Sequence, residues 1–399
     1  MRILICLVYL SFLFSCEKKE TLFSKMEPVD SGISFENKII VNDTLNALVS
    51  EFVYNGGGVA IADLNGDQKN DLFFTASQTD NALYINQGNM KFLETTKISG
   101  TRKPSNQYWS SGVTVIDINT DGKQDIYVCN TLNGNAAFRK NFLYINMGNN
   151  EKGIPLFEEM AEGYGLADTS HASHAQFFDY DLDGDLDLFI GVNWVEEKYP
   201  HEFIEKRTGK EALNRDRLFR NDWNEKLGHP VFTDVAEEAG IQLDGYSHST
   251  LIVDFNEDHY PDIYVANDFE SDDLIFINNK NGTFTNHAAD LFKHISLTAM
   301  GSDVGDVNND GLQDLLTTEM QPFYNKRKKL FQGESSYQRE IFTKRFGYNH
   351  QFMRNTLQVN QGINPETGFP VFSEQGMFAG IHETDWSWTA LFWIVFISR

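Results

Sequence analysis

Short apolar runs, strand-like in their content of β-branched and aromatic residues, recur along this chain in sets of four. The first run of a set is typified by Val59-Ala60-Ile61-Ala62, Val113-Thr114-Val115-Ile116 and Thr250-Leu251-Ile252-Val253, and the second by Leu72-Phe73-Phe74, Ile126-Tyr127-Val128 and Ile263-Tyr264-Val265. The third ends in asparagine: Leu83-Tyr84-Ile85-Asn86, Leu143-Tyr144-Ile145-Asn146, Leu218-Phe219-Arg220-Asn221, Phe276-Ile277-Asn278 and Leu357-Gln358-Val359-Asn360. The fourth centres on Phe92, Phe157, Phe232, Phe284 and Phe372. Four short strands per repeated unit are the pattern of a propeller blade. The expected fold is all-β, a β-propeller of four-stranded blades over residues 51–399, with about five complete blades. A partial sixth would open with Trp388-Thr389-Ala390-Leu391-Phe392, leaving the ring incomplete or open.

Between the first and second runs of every set stands an aspartate ladder nine residues long. Its positions 1, 3, 5 and 9 are Asp63, Asn65, Asp67 and Asp71; Asp117, Asn119, Asp121 and Asp125; Asp179, Asp181, Asp183 and Asp187; Asp254, Asn256, Asp258 and Asp262; and Asp306, Asn308, Asp310 and Asp314. A hard divalent cation takes six to eight oxygens, and alternate side chains of a tight loop can turn toward one ion, with a backbone carbonyl near position 7 completing the shell. Calcium is the expected cofactor. The loop begins like an EF-hand but carries aspartate at position 9, lacks a glutamate at 12 and is flanked by strands. Acidic β-turns are the alternative, since Asp, Asn and Gly are turn residues too. Five copies in one strand context favour the metal reading. Gly122, Gly184 and Gly311 occupy the sixth position, whereas Gln68 and His259 occupy it in the first and fourth loops, which are therefore expected to bind more weakly.

Residues 1–15 have the form of a secretory signal, Arg2 followed by an apolar stretch too short to span a bilayer. The run closes in Leu13-Phe14-Ser15-Cys16, which resembles a bacterial lipobox and predicts lipid on Cys16, with residues 16–50 as a tether and lead-in. Glu17 in place of aspartate after Cys16 points to the outer membrane or cell surface. Of the three cysteines, Cys6 leaves with the signal and Cys16 is lipidated, so Cys129 remains alone in an apolar strand as an inert thiol. A net charge of -24 excludes phosphate-directed nucleic-acid binding. Two charged insertions, 194–217 and 322–354, are expected to be partly helical excursions from the propeller.

Repeats of the form apolar strand, Asp-x-Asn-x-Asp-Gly-x-x-Asp, apolar strand resemble the FG-GAP/VCBS repeats of integrin-α-like β-propellers over about residues 50–392. Tyr54-Asn55-Gly56-Gly57-Gly58, Arg354-Asn355-Thr356-Leu357-Gln358 and Thr384-Asp385-Trp386-Ser387-Trp388 are similar to segments of bacterial surface lipoproteins related to cartilage acidic protein. Those proteins commonly carry a C-terminal ASPIC/UnbV domain, for which this sequence has no counterpart. Where a sixth ladder is expected, near residue 393, the sequence reads Trp393-Ile394-Val395-Phe396-Ile397. A shortened product and a genuine short variant are both open.

The resemblance implies binding or adhesion, with a glycan or protein as partner, rather than catalysis. Residues just ahead of the first strands would converge opposite the ladders, and Trp109, His171, His174, His248 and Trp386 are the candidate ligand-binding set. Packing of the propeller mouth is the structural alternative for them. A transition-metal site at His171 and His174 lacks acidic or cysteine partners. A polysaccharide lyase or hydrolase using these His and Tyr residues is the enzymatic alternative, and a structural part in a surface complex a third. No Gly-x-Ser-x-Gly, His-Glu-x-x-His or Walker motif supports catalysis.

Overall fold

Each aspartate ladder is the hairpin loop between the first and second strands of an antiparallel four-stranded sheet, and five such sheets follow one another. The computed structural model describes residues 23–194, 205–269, 271–330 and 337–392; the signal segment and Cys16 lie outside these. Blade 1 is built from Val59–Ala62, Asp71–Phe74, Ala82–Asn86 and Phe92–Glu94. Blade 2 has Trp109–Ile116, Asp125–Thr131, Phe142–Asn149 and Pro155–Glu159. Blade 3 has Ala172–Phe178, Asp187–Val192, Arg217–Asn224 and His229–Asp234. Blade 4 has Ser247–Val253, Asp262–Asn267, Leu274–Asn278 and Phe284–Asn286. Blade 5 has Ser302–Gly305, Asp314–Thr317, Thr356–Ile363 and Pro370–Glu374.

The core is the series of contacts between successive blades. In Asp125–Thr131 every residue is buried, because the pleat sends Ile126 and Val128 toward blade 1 and Tyr127 and Cys129 toward blade 3. Full burial of each such aliphatic or aromatic side chain contributes about 1.5–3 kcal/mol. Among the described residues, blade 1 has only one such neighbour. Phe73, Leu83 and Ile85 pack on blade 2, while Val59 and Ile61 on its first strand are 55% and 62% exposed. The array is thus open at this edge.

A turn after the fourth strand of blades 1, 2 and 3 locks onto the next blade. Gly165, at φ 75°, lies so close to blade 3 that a Cβ there would stand 2.5 Å from the Phe232 carbonyl oxygen. Gly32, at φ 82°, makes the same approach to Phe92 of blade 1, at the end of the short helix Pro28–Ser31. Just beyond it, the Ser34 N–H donates to the Tyr84 hydroxyl and Phe35 stacks on Phe74 at 4.9 Å. Part of the expected tether therefore stands where the tail of a preceding blade would stand. At the other edge, Trp388 and Thr389 press on Gly301 and Phe392 on Gly305, so the expected sixth-blade strand runs beside blade 5 without forming a ladder.

Among the described residues of the insertions, Thr208 and Arg215 bridge to Leu243 and Asp244. The second insertion is partly helical, with Asn325–Leu330 and Tyr337–Arg345, and Gln351–Phe352 pairs in parallel with Ile295–Ser296. Cys129 is buried, and burial pushes its thiol pKa well up, so it has no nucleophilic character. Among the described residues no helix is long and apolar enough to cross a membrane.

Candidate functional site

All five ladders fold the same way. The position 1 carboxylate accepts the N–H groups of positions 5 and 6, as Asp117 does from Asp121 at 3.0 Å and Gly122 at 2.8 Å. The position 5 carboxylate accepts the N–H of position 7, as Asp310 does from Leu312 at 2.9 Å. Position 6 is left-handed throughout, with φ of 65° at Gln68, 84° at Gly122, 99° at Gly184, 69° at His259 and 91° at Gly311. These bonds bend the chain back on itself around the position 1 carboxylate.

Position 9 does a second job. Asp71, Asp125, Asp187, Asp262 and Asp314 are all buried, and each uses both oxygens as backbone acceptors. In blade 4, Asp262 Oδ1 accepts the Asn278 N–H at 2.8 Å and Oδ2 accepts the Phe255 N–H at 3.0 Å, tying the loop to the third strand. Burial, partly offset by these hydrogen bonds, raises the pKa to about 6 at Asp71 and Asp125, about 7 at Asp262 and about 8 at Asp187.

The third loop is the most acidic. Carboxylate oxygens of Asp179, Asp181 and Asp187 lie within 4.8 Å of one another. Oδ1 of Asp181 and Oδ1 of Asp185 are buried without a hydrogen-bond partner. These hard oxygens fit a calcium ion. In the first, second and fourth loops an ammonium group already sits on position 5: Lys69 on Asp67 and Lys123 on Asp121, each at 2.8 Å, and Lys280 on Asp258 at 3.2 Å. The sixth-position glycine does not reveal this difference, since the second loop has both Gly122 and its lysine.

At the opposite ends of the first strands, Phe52, Trp109, Ser173, Asn193, His248 and Trp388 line a cavity of about 250 Å³. Phe52, on the short helix Glu51–Tyr54, crosses the mouth to meet the His248 ring at 5.1 Å and Phe269 at 5.8 Å. Beside it a groove of about 720 Å³ runs between residues 44–52 and the wall formed by Trp109, His171 and Trp194. Of the five candidate residues, Trp109, His171 and His248 come together at these two cavities. His174 lines neither, because its Nδ1 meets the Ser173 hydroxyl at 3.0 Å and its Nε2 the Thr250 hydroxyl, bridging blades 3 and 4. Trp386 is 49% exposed and also lines neither. Three buried polar atoms at the mouth have no hydrogen-bond partner: His171 Nδ1, Asn193 Oδ1 and His248 Nε2, the last 3.5 Å from Asp268.

Residues 63–128 and 254–317 match the family model of FG-GAP-like repeats, and these stretches contain the first, second, fourth and fifth loops. The chain carries FG-GAP-like repeats. Cartilage acidic protein 1 of Mus musculus is 24% identical over 242 residues, covering 61% of this chain. The chain spans about a third of that relative's length, 33%. Among solved structures, a lectin of Agrocybe aegerita specific for non-reducing terminal N-acetylglucosamine is 14% identical, with a TM-score of 0.30 and 79% of both chains covered. A rhamnogalacturonan lyase of Bacillus licheniformis is 11% identical, with a TM-score of 0.35, covering 66% of this chain and 47% of its own. With TM-scores this low, the blade assignment rests on the chain's own sheets.

The FG-GAP-like repeats share one feature that the strand pattern alone did not disclose. Five residues ahead of each third-strand asparagine stand Asn81, Asn141, Asp216, Asp273 and Asn355, whose side-chain oxygens accept the N–H groups of Ala76, Asn130, Val192, Asn267 and Glu319. The distances run from 2.7 Å at Asn355 to 3.0 Å at Asn81. An Asn or Asp at that offset in five sets of five was the readable signal. The signature asparagine itself reaches back one blade, Asn146 donating to the Leu64 carbonyl at 2.9 Å and Asn278 to the Tyr180 carbonyl at 2.8 Å.

Proposed function

We propose that this chain is a calcium-stiffened binding module, held at a bacterial outer surface by lipid on Cys16, that captures an extracellular glycan or protein at the propeller mouth. Two partnerless polar atoms beside Trp109 and Phe52, His171 Nδ1 and Asn193 Oδ1, carry the reading. Buried donors and acceptors left unmade are unfavourable by about 1–3 kcal/mol each, and a ligand that satisfies them while covering the aromatic rings recovers that energy. Calcium, when bound, supplies a charge that neutralises the clustered carboxylates and fixes the loop. Asp179, Asp181, Asp183 and Asp187 would hold it in the third repeat, and Asp306, Asn308, Asp310 and Asp314 in the fifth. The lysines of the other three loops compete with it there.

At a calcium concentration tenfold above Kd, each filled site stabilises the fold by about 1.4 kcal/mol. Titration calorimetry on the purified full chain, with melting curves in calcium and in chelator, tests the metal half. The ligand half is tested by capture from immobilised glycans and extracellular proteins, with product analysis of everything retained. Identical melting curves and no calcium uptake would sink the first half. Shortened or unsaturated products would replace a binder with an enzyme.

A further inference from the structure

Resting on the reading of the mouth as a binding surface, we propose that its ligand is a neutral oligosaccharide. The sugar lies in the groove roofed by residues 44–52, with rings against Trp109 and Trp194 and hydroxyls on Asn106, Gln107 and His171. The groove, at about 720 Å³, is of small-ligand size and accepts a short oligosaccharide. Trp109 forms one wall. His171 forms another, 8% exposed, its ring lying flat against Trp194 at 5.4 Å and 11°.

The chemistry of the lining separates this ligand from the alternatives. Among the described residues that line the groove there is no Lys or Arg, and Glu51 is the single carboxylate; the polar groups are otherwise amides, hydroxyls and one imidazole. Burial, aided by the nearby Arg139 cation, pushes the His171 pKa down to about 3. The ring is therefore neutral, with one N–H and one lone pair, and its Nδ1 has no partner. A donor paired with an acceptor, set among neutral amides and flat apolar faces, matches the hydroxyl-bearing edge and the C–H face of a sugar ring. Sulfated or uronic polymers would meet a chain of net charge -24 with no cation in the groove to receive them. An acidic peptide would meet no cation among the described lining residues, and a basic one would have only Glu51 to pair with.

The test uses the full chain in calcium against three immobilised sets: neutral glucan, galactan, mannan and xylan oligosaccharides; polygalacturonate and heparin; and gelatin peptides. The expected result is retention on at least one neutral oligosaccharide, unchanged between about 50 and 500 mM salt because no ion pair is made. Trp109→Ala should weaken it by about tenfold or more. Because Trp109 also packs at the start of blade 2, Gln107→Ala is the second variant: it is exposed, should leave the melting curve in place, and should weaken binding several-fold. Retention on the polyanions alone, or on gelatin alone, overturns the neutral-sugar assignment while leaving the mouth as a binding surface. Neutral-sugar binding untouched by both substitutions overturns the groove. Retention on none of the three sets overturns the assignment, and failure in the wider capture screen as well removes the binding reading with it.

Discussion

Exchanging the residues at position 6 of two ladders gives a pair of opposite, calculable effects. Gln68 and Gly122 hold the same left-handed backbone, φ 65° and 84°, and both donate their N–H to the position 1 carboxylate. An L side chain in that region costs roughly 1–2 kcal/mol. Glycine avoids this, but its greater freedom in the unfolded chain costs about 0.5–1 kcal/mol. The net is about 0.5–1 kcal/mol in favour of glycine. Gln68 is exposed and its side chain makes no hydrogen bond to forfeit, and a Cβ at Gly122 would meet nothing within 4 Å. Backbone strain is therefore isolated from packing. Gln68→Gly should raise stability by that amount and Gly122→Ala should lower it by the same amount. For a chain of this size the melting temperature moves by about 0.5–1 °C in each direction, so the urea midpoint is the more sensitive reading. Urea and thermal denaturation of both variants and of the double variant, in chelator so that metal affinity does not intrude, read the effect. The double variant should fall back to wild type. A destabilising Gln68→Gly, or a neutral Gly122→Ala, would mean that the loop is not bent this way without metal.

Asn146→Ala should destabilise by about 2–3 kcal/mol by leaving the Leu64 and Gln124 carbonyls without their donor, visible as a lower urea midpoint at unchanged slope. Buried Glu319 has its pKa raised to about 8 by burial, against which the Thr298 and Met320 hydrogen bonds act. Because the folded chain holds this proton more tightly, the contribution is fully present below the ordinary carboxylate range and is lost as pH rises through about 8. Glu319→Gln should therefore gain on wild type from about pH 5 to about pH 8 and level off above that in denaturant melts. Cys129 should resist thiol reagents in the native chain and react once it is unfolded, which a colorimetric thiol assay follows. Asp183→Ala should remove more calcium uptake, by titration calorimetry, than Asp67→Ala, because Lys69 already neutralises Asp67.

The strands and loops were legible because both signals are local. Two-residue alternation and turn chemistry act within a few positions, and Asp179 to Asp187 announces its loop without reference to any distant residue. What stayed hidden involves residues far apart in sequence. Ser34 finds Tyr84, Phe52 finds His248, and His174 finds Thr250, pairings set by how blades stack rather than by any nearby pattern. The double duty of Asp262 was hidden for a related reason. A carboxylate at calcium spacing reads as a ligand, and only its burial beside Asn278 reveals it as a clamp between loop and third strand. The lysines on Asp67 and Asp121 were in plain view at position 7, but a cation two residues from a carboxylate reads as surface charge until the loop curls it back.

The backward reach of the signature asparagines sets a clock on assembly. Leu64 waits for Asn146, 82 residues later; Tyr180 waits for Asn278, 98 residues later; Phe255 waits for Asn360, 105 residues later. A chain that emerges N-terminus first at about 5–20 residues per second leaves each loop unfastened for roughly 4–20 s. During that interval a finished blade presents one raw face, and the face is covered only when the following blade arrives. Growth is then sequential, each unit the template for its successor, so a stalled or mistranslated blade should strand everything downstream of it while leaving the earlier blades standing.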